Sequence, residues 1–338
     1  MNNIKYDKPF KTYDELISIM ESRNISVPDH DFARHVLNSL SYYTLINGYK
    51  DTFLSVPGTD IFVPGTSFND LYTLHLIDTN LNNIILKYIL YIEKYLKSRI
   101  AYIVAEQYGV YIDPGDLSNN NPDDYLCRQY YSRSASGRNN VLYKIKNTLT
   151  QQKISKSVQH YLETKNHIPP WILVTSLTFG LMIKWYNVFN PADKERICND
   201  FLPTPVLGIS EKKEFVSVSL KLLREYRNKI AHSSRTFSAE NLPVLPKKQL
   251  LHLSSGILTE EEYNRGLGKS DLYGVILSCV ILIDDNYILT DFLSDLIYTL
   301  KKYQSLRLVG KDIFAILGLP NDIVSKLSYL INSKFSST

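Results

Sequence analysis

The chain has 338 residues, 44% of them hydrophobic, and its 38 Lys and Arg against 34 Asp and Glu give a formal net charge of +4. That composition excludes a disordered or collagen-like chain, and the length suffices for about two domains or one extended unit with a substantial core. So small a charge surplus identifies no anionic partner unless the cations are clustered.

In chain order, most segments carry apolar residues at helical spacing, and few show the alternation expected of a sheet, so the fold class is all-α. Residues 13–21 place Leu16, Ile17 and Met20 on one face. Residues 31–45 open on an Asp suited to capping, carry Phe32, Val36, Leu37 and Leu40, and stop at Asn47-Gly48. Residues 53–65 contain Pro57-Gly58 and Pro64-Gly65 and read as a loop or a small β hairpin. From 68 to about 107 the periodicity, through Leu71, Leu74, Asp78, Leu81, Ile85, Ile89, Ile92, Leu96 and Ile100, predicts one long helix or two in tandem.

Residues 113–140 then turn rich in Asn, Asp, Ser, Pro and Gly, with Arg128, Arg133 and Arg138 among Tyr125, Tyr130 and Tyr131. This insertion reads first as a surface excursion and second as a basic, aromatic arm for RNA. Helical spacing resumes over 141–162 and 171–189, the latter preceded by Pro169-Pro170. A further helix covers 215 to about 232, residues 238–248 form a connector, and 260–268 form a short helix or turn. Helices are then expected over 271–283, 287–303, 312–317 and 322–332. The organisation expected is an N-terminal helical and loop region, 1–67, followed by a helical core, 68–338, into which 113–140 is inserted.

Cys127, Cys198 and Cys279 lie far apart and form no paired motif, so neither a disulfide framework nor a zinc site is expected. No metal and no cofactor is predicted. The start lacks an apolar signal region, and the longest strongly apolar run, 275–283, falls short of the roughly 20 residues that span a bilayer. The expectation is a cytoplasmic protein without a membrane segment. The 25 tyrosines are read first as compositional bias and second as stacking platforms for bases.

The segment 223–235, Leu-Arg-Glu-Tyr-Arg-Asn-Lys-Ile-Ala-His-Ser-Ser-Arg, is the richest in chemistry. Phe215, Val218, Leu222, Tyr226 and Ile230 step by three or four and would bury one side of a helix. At about 100° per residue, Arg224, Asn228 and His232 form a stripe on the other side, extended by Arg235, with Arg227 at its edge. Glu225 and Lys229 are spaced for a surface ion pair. Arginine offers several donors to a phosphate, and histidine exchanges protons near neutral pH. Arg227 and His232 are five residues and therefore about 140° apart on an ideal helix, so they converge only if the helix distorts or a second subunit completes the site. Glu93, among Ile92, Leu96 and Ile100, reads first as an ion-pair partner and second as an auxiliary site residue. His75 and Asp78 share a helix face without further ligands for a metal. No phosphate loop, Rossmann fingerprint or nucleophile elbow is present.

Arg227-Asn228-Lys229-Ile230-Ala231-His232 resembles the R-N-x-x-x-H form of the HEPN superfamily signature, whose catalytic members are RNA endonucleases. The chain also resembles the Abi family of bacterial abortive-infection proteins, of the AbiD and AbiF type. The likeness is carried by Lys8-Pro9-Phe10, Tyr42-Tyr43, Gly48-Tyr49, the run from Phe62 to Phe68, Asp78, the run from Ile92 to Arg99, Ile168 to Trp171, Leu177 to Gly180, the Arg/His motif and Gly318-Leu319-Pro320. Two departures stand out: Ser233 occupies the place of a second histidine, and Lys97 that of a frequent arginine.

The resemblance implies a HEPN-like helical bundle and metal-independent RNA cleavage that leaves 2′,3′-cyclic phosphate and 5′-hydroxyl ends. It assigns His232 as acid and base, Arg227 to the phosphate and Asn228 to orientation, while the helix stripe and the basic insertion offer Arg224, Arg235, Arg128, Arg133 and Arg138 as RNA-binding candidates. It further implies a toxin-like effector of phage defence, restrained by an antitoxin partner such as a small RNA. Because the chain holds one motif, a homodimer is expected. The alternative is a non-catalytic scaffold that binds structured RNA or a partner protein through the same helix face.

Overall fold

The structure, a computed structural model, describes residues 7–150, 154–231 and 235–336. The all-α expectation holds: the chain runs through α1 (Tyr13–Ser22), α2 (His30–Ser39), α3 (Phe68–Tyr108), α4 (Arg138–Asn147), α5 (Lys156–Thr164), α6 (Pro170–Leu173), α7 (Phe179–Val188) and α8 (Pro191–Phe201). It continues through α9 (Ile209–Ala231), α10 (Lys247–Leu253), α11 (Glu260–Asn264), α12 (Leu272–Leu282), α13 (Asn286–Lys301), α14 (Ile313–Leu317) and α15 (Ile323–Phe335). A two-stranded antiparallel ribbon, β1 (Arg307–Leu308) with β2 (Lys311–Asp312), precedes α14. Residues 53–65 fold back on themselves as the sequence suggests: an antiparallel bridge between Leu54 and Phe62 is flanked by hydrogen bonds from the Ser55 N–H to the Ile61 carbonyl at 3.0 Å and from the Val63 N–H to the Phe53 carbonyl at 2.8 Å.

The periodic stretch from Phe68 is one helix of 41 residues, about 60 Å long. It starts at a reciprocal cap between Ser67 and Asp70 and ends at Gly109, whose φ of +87° suits a glycine. Its length lets α6, α7, α8, α9, α12 and α13 all pack along it. Residues 272–282 of α12 are buried on every side, the pattern of a helix enclosed by others. The helix α12 lies against both α3 and α9, and α9 in turn meets α7, α8 and α10. Buried apolar side chains from Ile17 to Ile331 form one contiguous core.

Several segments divide differently from the sequence expectation. The stretch 171–189 breaks into α6, a 3-10 turn at Val174–Ser176 and α7, because Thr178 caps a new helix by accepting from the Leu181 N–H. The helices α8 and α10 were not anticipated. Their sequences are largely polar, though Asn190 followed by Pro191 is a start signal, and the Asn190 side chain does cap α8.

The tyrosine-rich insertion is fastened rather than loose. Trp185 donates to the Tyr131 hydroxyl at 3.1 Å, Tyr131 donates to the Tyr125 carbonyl at 2.9 Å, and Tyr125 donates to the Ile168 carbonyl at 3.0 Å. Tyr125 and Tyr131 are therefore core residues, with their hydroxyls paired to offset burial. Beside them Lys146 and Asp124, both fully buried, meet at 2.5 Å. Asp124 also accepts the N–H groups of Asp113 and Leu126 at 3.0 and 2.7 Å, and Lys146 donates to the Asp116 carbonyl at 2.7 Å. Breaking a buried pair strands a charge, so Lys146→Met and Asp124→Ala are each expected to cost about 3–5 kcal/mol. The joint replacement Asp124→Leu with Lys146→Met should cost less than the two single losses combined, measured by urea denaturation.

Candidate functional site

The site is built on the C-terminal half of α9. Residues 209–231 contain neither Gly nor Pro, and Phe215, Val216, Leu220, Leu222, Leu223 and Tyr226 are fully buried, which fixes the rotation of the helix. Arg224, Arg227 and Asn228 are left half-buried on the remaining surface. His232, Ser233 and Ser234 lie outside the described residues.

Arg224 lies across α7. A Cβ on Gly180 would stand 3.3 Å from the Arg224 Cδ, so the absence of a side chain at Gly180 makes the room that Arg224 fills. The Arg224 guanidinium donates to the neighbouring Glu225 carboxylate, while its buried Nε has no hydrogen-bond partner. The expected Glu225–Lys229 pair does not form, because Arg224 takes the carboxylate.

Arg227 donates to the Asn228 Oδ1 at 3.5 Å and has no ion-pair partner among the described residues. Arg235 is held by Asp51 at 3.2 Å and lies over the Phe237 ring at 5.7 Å. Glu93 is buried and pairs with Lys97 at 2.9 Å through one oxygen, its other oxygen being unpartnered.

The structure thus gathers Arg224, Arg227 and Asn228 on one face, with Arg235 just beyond. It does not bring the insertion's arginines to them. The Ser132 N–H bonds to the Val188 carbonyl at 2.9 Å, at the end of α7 about 12 Å from Gly180. Arg128 and Arg133 are exposed, and Arg138 donates to Asn139 and to the Tyr131 carbonyl.

Sequence reasoning missed a buried polar cluster just past the motif. The Thr236 hydroxyl lies 3.0 Å from the Asp78 Oδ1 and in contact with the Asn82 Oδ1. Tyr49 donates to the Asp78 Oδ2 at 2.9 Å, and the His75 Nδ1 is 3.3 Å from the Tyr49 hydroxyl. One hydroxyl proton cannot serve two acceptors, so either Asp78 carries a proton or the Asn82 amide presents its NH2. Burial raises the Asp78 carboxyl above its ordinary value, and the hydrogen bonds from Tyr49 and Thr236 act in the opposite direction. Burial also raises the Tyr49 phenol and lowers the His75 imidazole. The signal in the sequence was a polar pair, Asp78 and Asn82, four residues apart within an apolar stripe.

The family model for Abi-like proteins matches residues 35–238, more than half of the chain, and the chain belongs to that family. The matched span runs from α2 through α9 to Phe237 and Ser238, so it contains the motif and the whole Thr236 cluster. Membership points to abortive-infection defence. Neither the curated proteins nor the solved structures give a match. Among the described residues no helix is long and apolar enough to cross a membrane.

Thr236→Val keeps the shape but removes the hydroxyl that links Asp78 to Asn82, and is expected to destabilise the fold by about 1–3 kcal/mol. Thr236→Ser should cost less, and urea midpoints separate the two. The lowered His75 imidazole gives the reverse of a gained ion pair: its contribution is complete above the unfolded value, about 6.5, and is lost as pH falls through the folded value. His75→Phe should accordingly flatten the fall in stability on acidification from neutral pH, read from the same melts at a series of pH values.

Proposed function

We propose that this protein is a metal-independent endoribonuclease of the HEPN type, a toxin-like effector of abortive infection held in check by a partner such as a small RNA. The observation that supports the reading is Arg227: a half-buried arginine with no ion-pair partner among the described residues, touching Asn228 and standing five residues before His232 on the family-matched segment. An uncompensated arginine of this kind is suited to a phosphate, which its planar fork can bind through two donors.

In this reaction the ribose 2′-hydroxyl loses its proton as its oxygen attacks the adjacent phosphorus. The P–O5′ bond breaks, and the leaving oxygen gains a proton. The products are a 2′,3′-cyclic phosphate and a 5′-hydroxyl, with no net proton or electron exchanged. His232 acts as acid and base, Arg227 stabilises the charge gathering on the phosphoryl oxygens, and Asn228 orients His232 or the substrate. Arg224 and Arg235 hold flanking phosphates, Arg235 by exchanging Asp51 for RNA. The single motif per chain fits a homodimer in which two motifs meet.

Purified protein incubated with total RNA in EDTA should yield those ends. His232→Ala should slow cleavage by about 10²–10⁴-fold and Arg227→Ala by about 10²–10³-fold. Equal cleavage by all three proteins, or none by the wild type, would sink the nuclease reading. In the second case, salt-sensitive RNA binding that weakens on removal of Arg224 or Arg227 would leave the scaffold function in its place.

A further inference from the structure

We infer that the seam between α7 and α9 is a track for the phosphates of a single RNA strand, with Lys184 and Lys221 as its phosphate-contacting residues. The inference rests on the ribonuclease reading only for the kind of nucleic acid bound. Two contacts fix how the helices lie: Gly180 beneath Arg224, and Asn187 with Ser217 at 3.5 Å. The first residue of each pair rises along α7 as the second falls along α9, so the two helices are antiparallel.

Between those anchors the register places Lys184 beside Lys221. Lys184 is four residues after Gly180 and three before Asn187, and Lys221 is three before Arg224 and four after Ser217. Both lysines are exposed, and neither has an ion-pair partner among the described residues. Residues 179–188 contain no acid at all, and the α9 stripe Ser217, Lys221, Arg224 and Asn228 contains none either. Of the carboxylates on this side of α9, Glu225 is engaged by Arg224, and Glu214, three residues before Ser217, accepts from the Gln249 side chain at 2.6 Å.

Two like charges held side by side without counter-charge repel each other, and an anion in the seam removes that cost. The band is one helix spacing wide, about 8–10 Å, and about 10 Å long between its anchors. It continues at its Arg224 end into Arg227 and Asn228. Those dimensions suit one sugar-phosphate backbone entering the motif, not the two strands of a duplex.

The test uses the full chain with His232→Ala so that the RNA stays intact. Binding of a short fluorescein-labelled single-stranded RNA is followed by anisotropy at a series of KCl concentrations. Lys184→Gln with Lys221→Gln keeps the polar surface while removing both charges. It should raise Kd and lower the slope of log K against log salt by about 1.4, the contribution of two phosphates on a single strand. Lys301→Gln with Lys302→Gln, an equal charge change at the end of α13, should leave the slope unchanged. A wild-type slope in the first variant, or an equal change in both, overturns the track. If the wild type cuts RNA but binding ignores the two lysines, the track fails and the nuclease reading stands. If binding depends on them but no RNA is cut, the reverse holds.

Discussion

The structure depends on the burial of α9. A helix enclosed by α3, α7, α8, α10 and α12 has little surface left over, and its apolar residues, each worth roughly 1.5–3 kcal/mol when fully buried, fix which residues that surface receives. What remains includes the stripe from Ser217 to Asn228, flanked by Glu214 and Glu225. The rotation of α9 is therefore set by packing against α3 and α12, and the polar motif takes the one direction packing leaves free. Gly180 completes this arrangement, because any larger residue would press on the stem of Arg224 from the α7 side.

The end of α9 is secured differently. Thr236 reaches back to Asp78 and Asn82 on α3, and Tyr49 binds the same carboxylate from the N-terminal region. Three segments far apart in sequence thus meet immediately after the Arg/His motif. Buried hydrogen bonds of this kind specify an arrangement more than they stabilise it, since each group was already solvated in the unfolded chain. All of these partners fall within residues 35–238, the span that matches the family model. The helix that closes the core, α12, lies outside that span. The matched segment holds the motif and its anchor, and the C-terminal helices supply much of the apolar surface against which they rest.

The helices with strong apolar periodicity and clear caps were legible in the sequence. Those of α3 and α12 came through closely, because a stripe of Leu and Ile over many turns has one simple explanation. The shorter polar helices α8 and α10 were not legible, since tertiary packing rather than pattern holds them. The insertion was misread for a related reason. A tyrosine among Asn, Ser and Arg resembles surface, yet Tyr125 and Tyr131 are buried because carbonyl partners exist for their hydroxyls. Lys146 hides in the same way: Asp124 and the Asp116 carbonyl, both more than twenty residues earlier, make its burial tolerable. At the site, the arginine and asparagine stripe followed from helical geometry alone. The polar anchor did not, because it joins residues whose proximity exists only in the fold.

The net charge of +4 looks different once its partners are known. Around much of the molecule cations are taken up by carboxylates: Arg23 by Asp60, Arg34 by Asp14 and Asp31, Lys87 by Asp295, Arg99 by Asp200 and Arg196 by Glu106. Paired charges largely cancel at a distance, and at physiological salt the field of an exposed charge fades over about 8 Å. What a ligand senses is then the local remainder, not the total. Along α7 and the stripe of α9 that remainder is positive, with no acidic residue on α7 and Glu225 already bound to Arg224. A surplus that is small for the whole chain is thus concentrated at one seam, because the packing that rotates α9 also decides where its cations are left uncancelled.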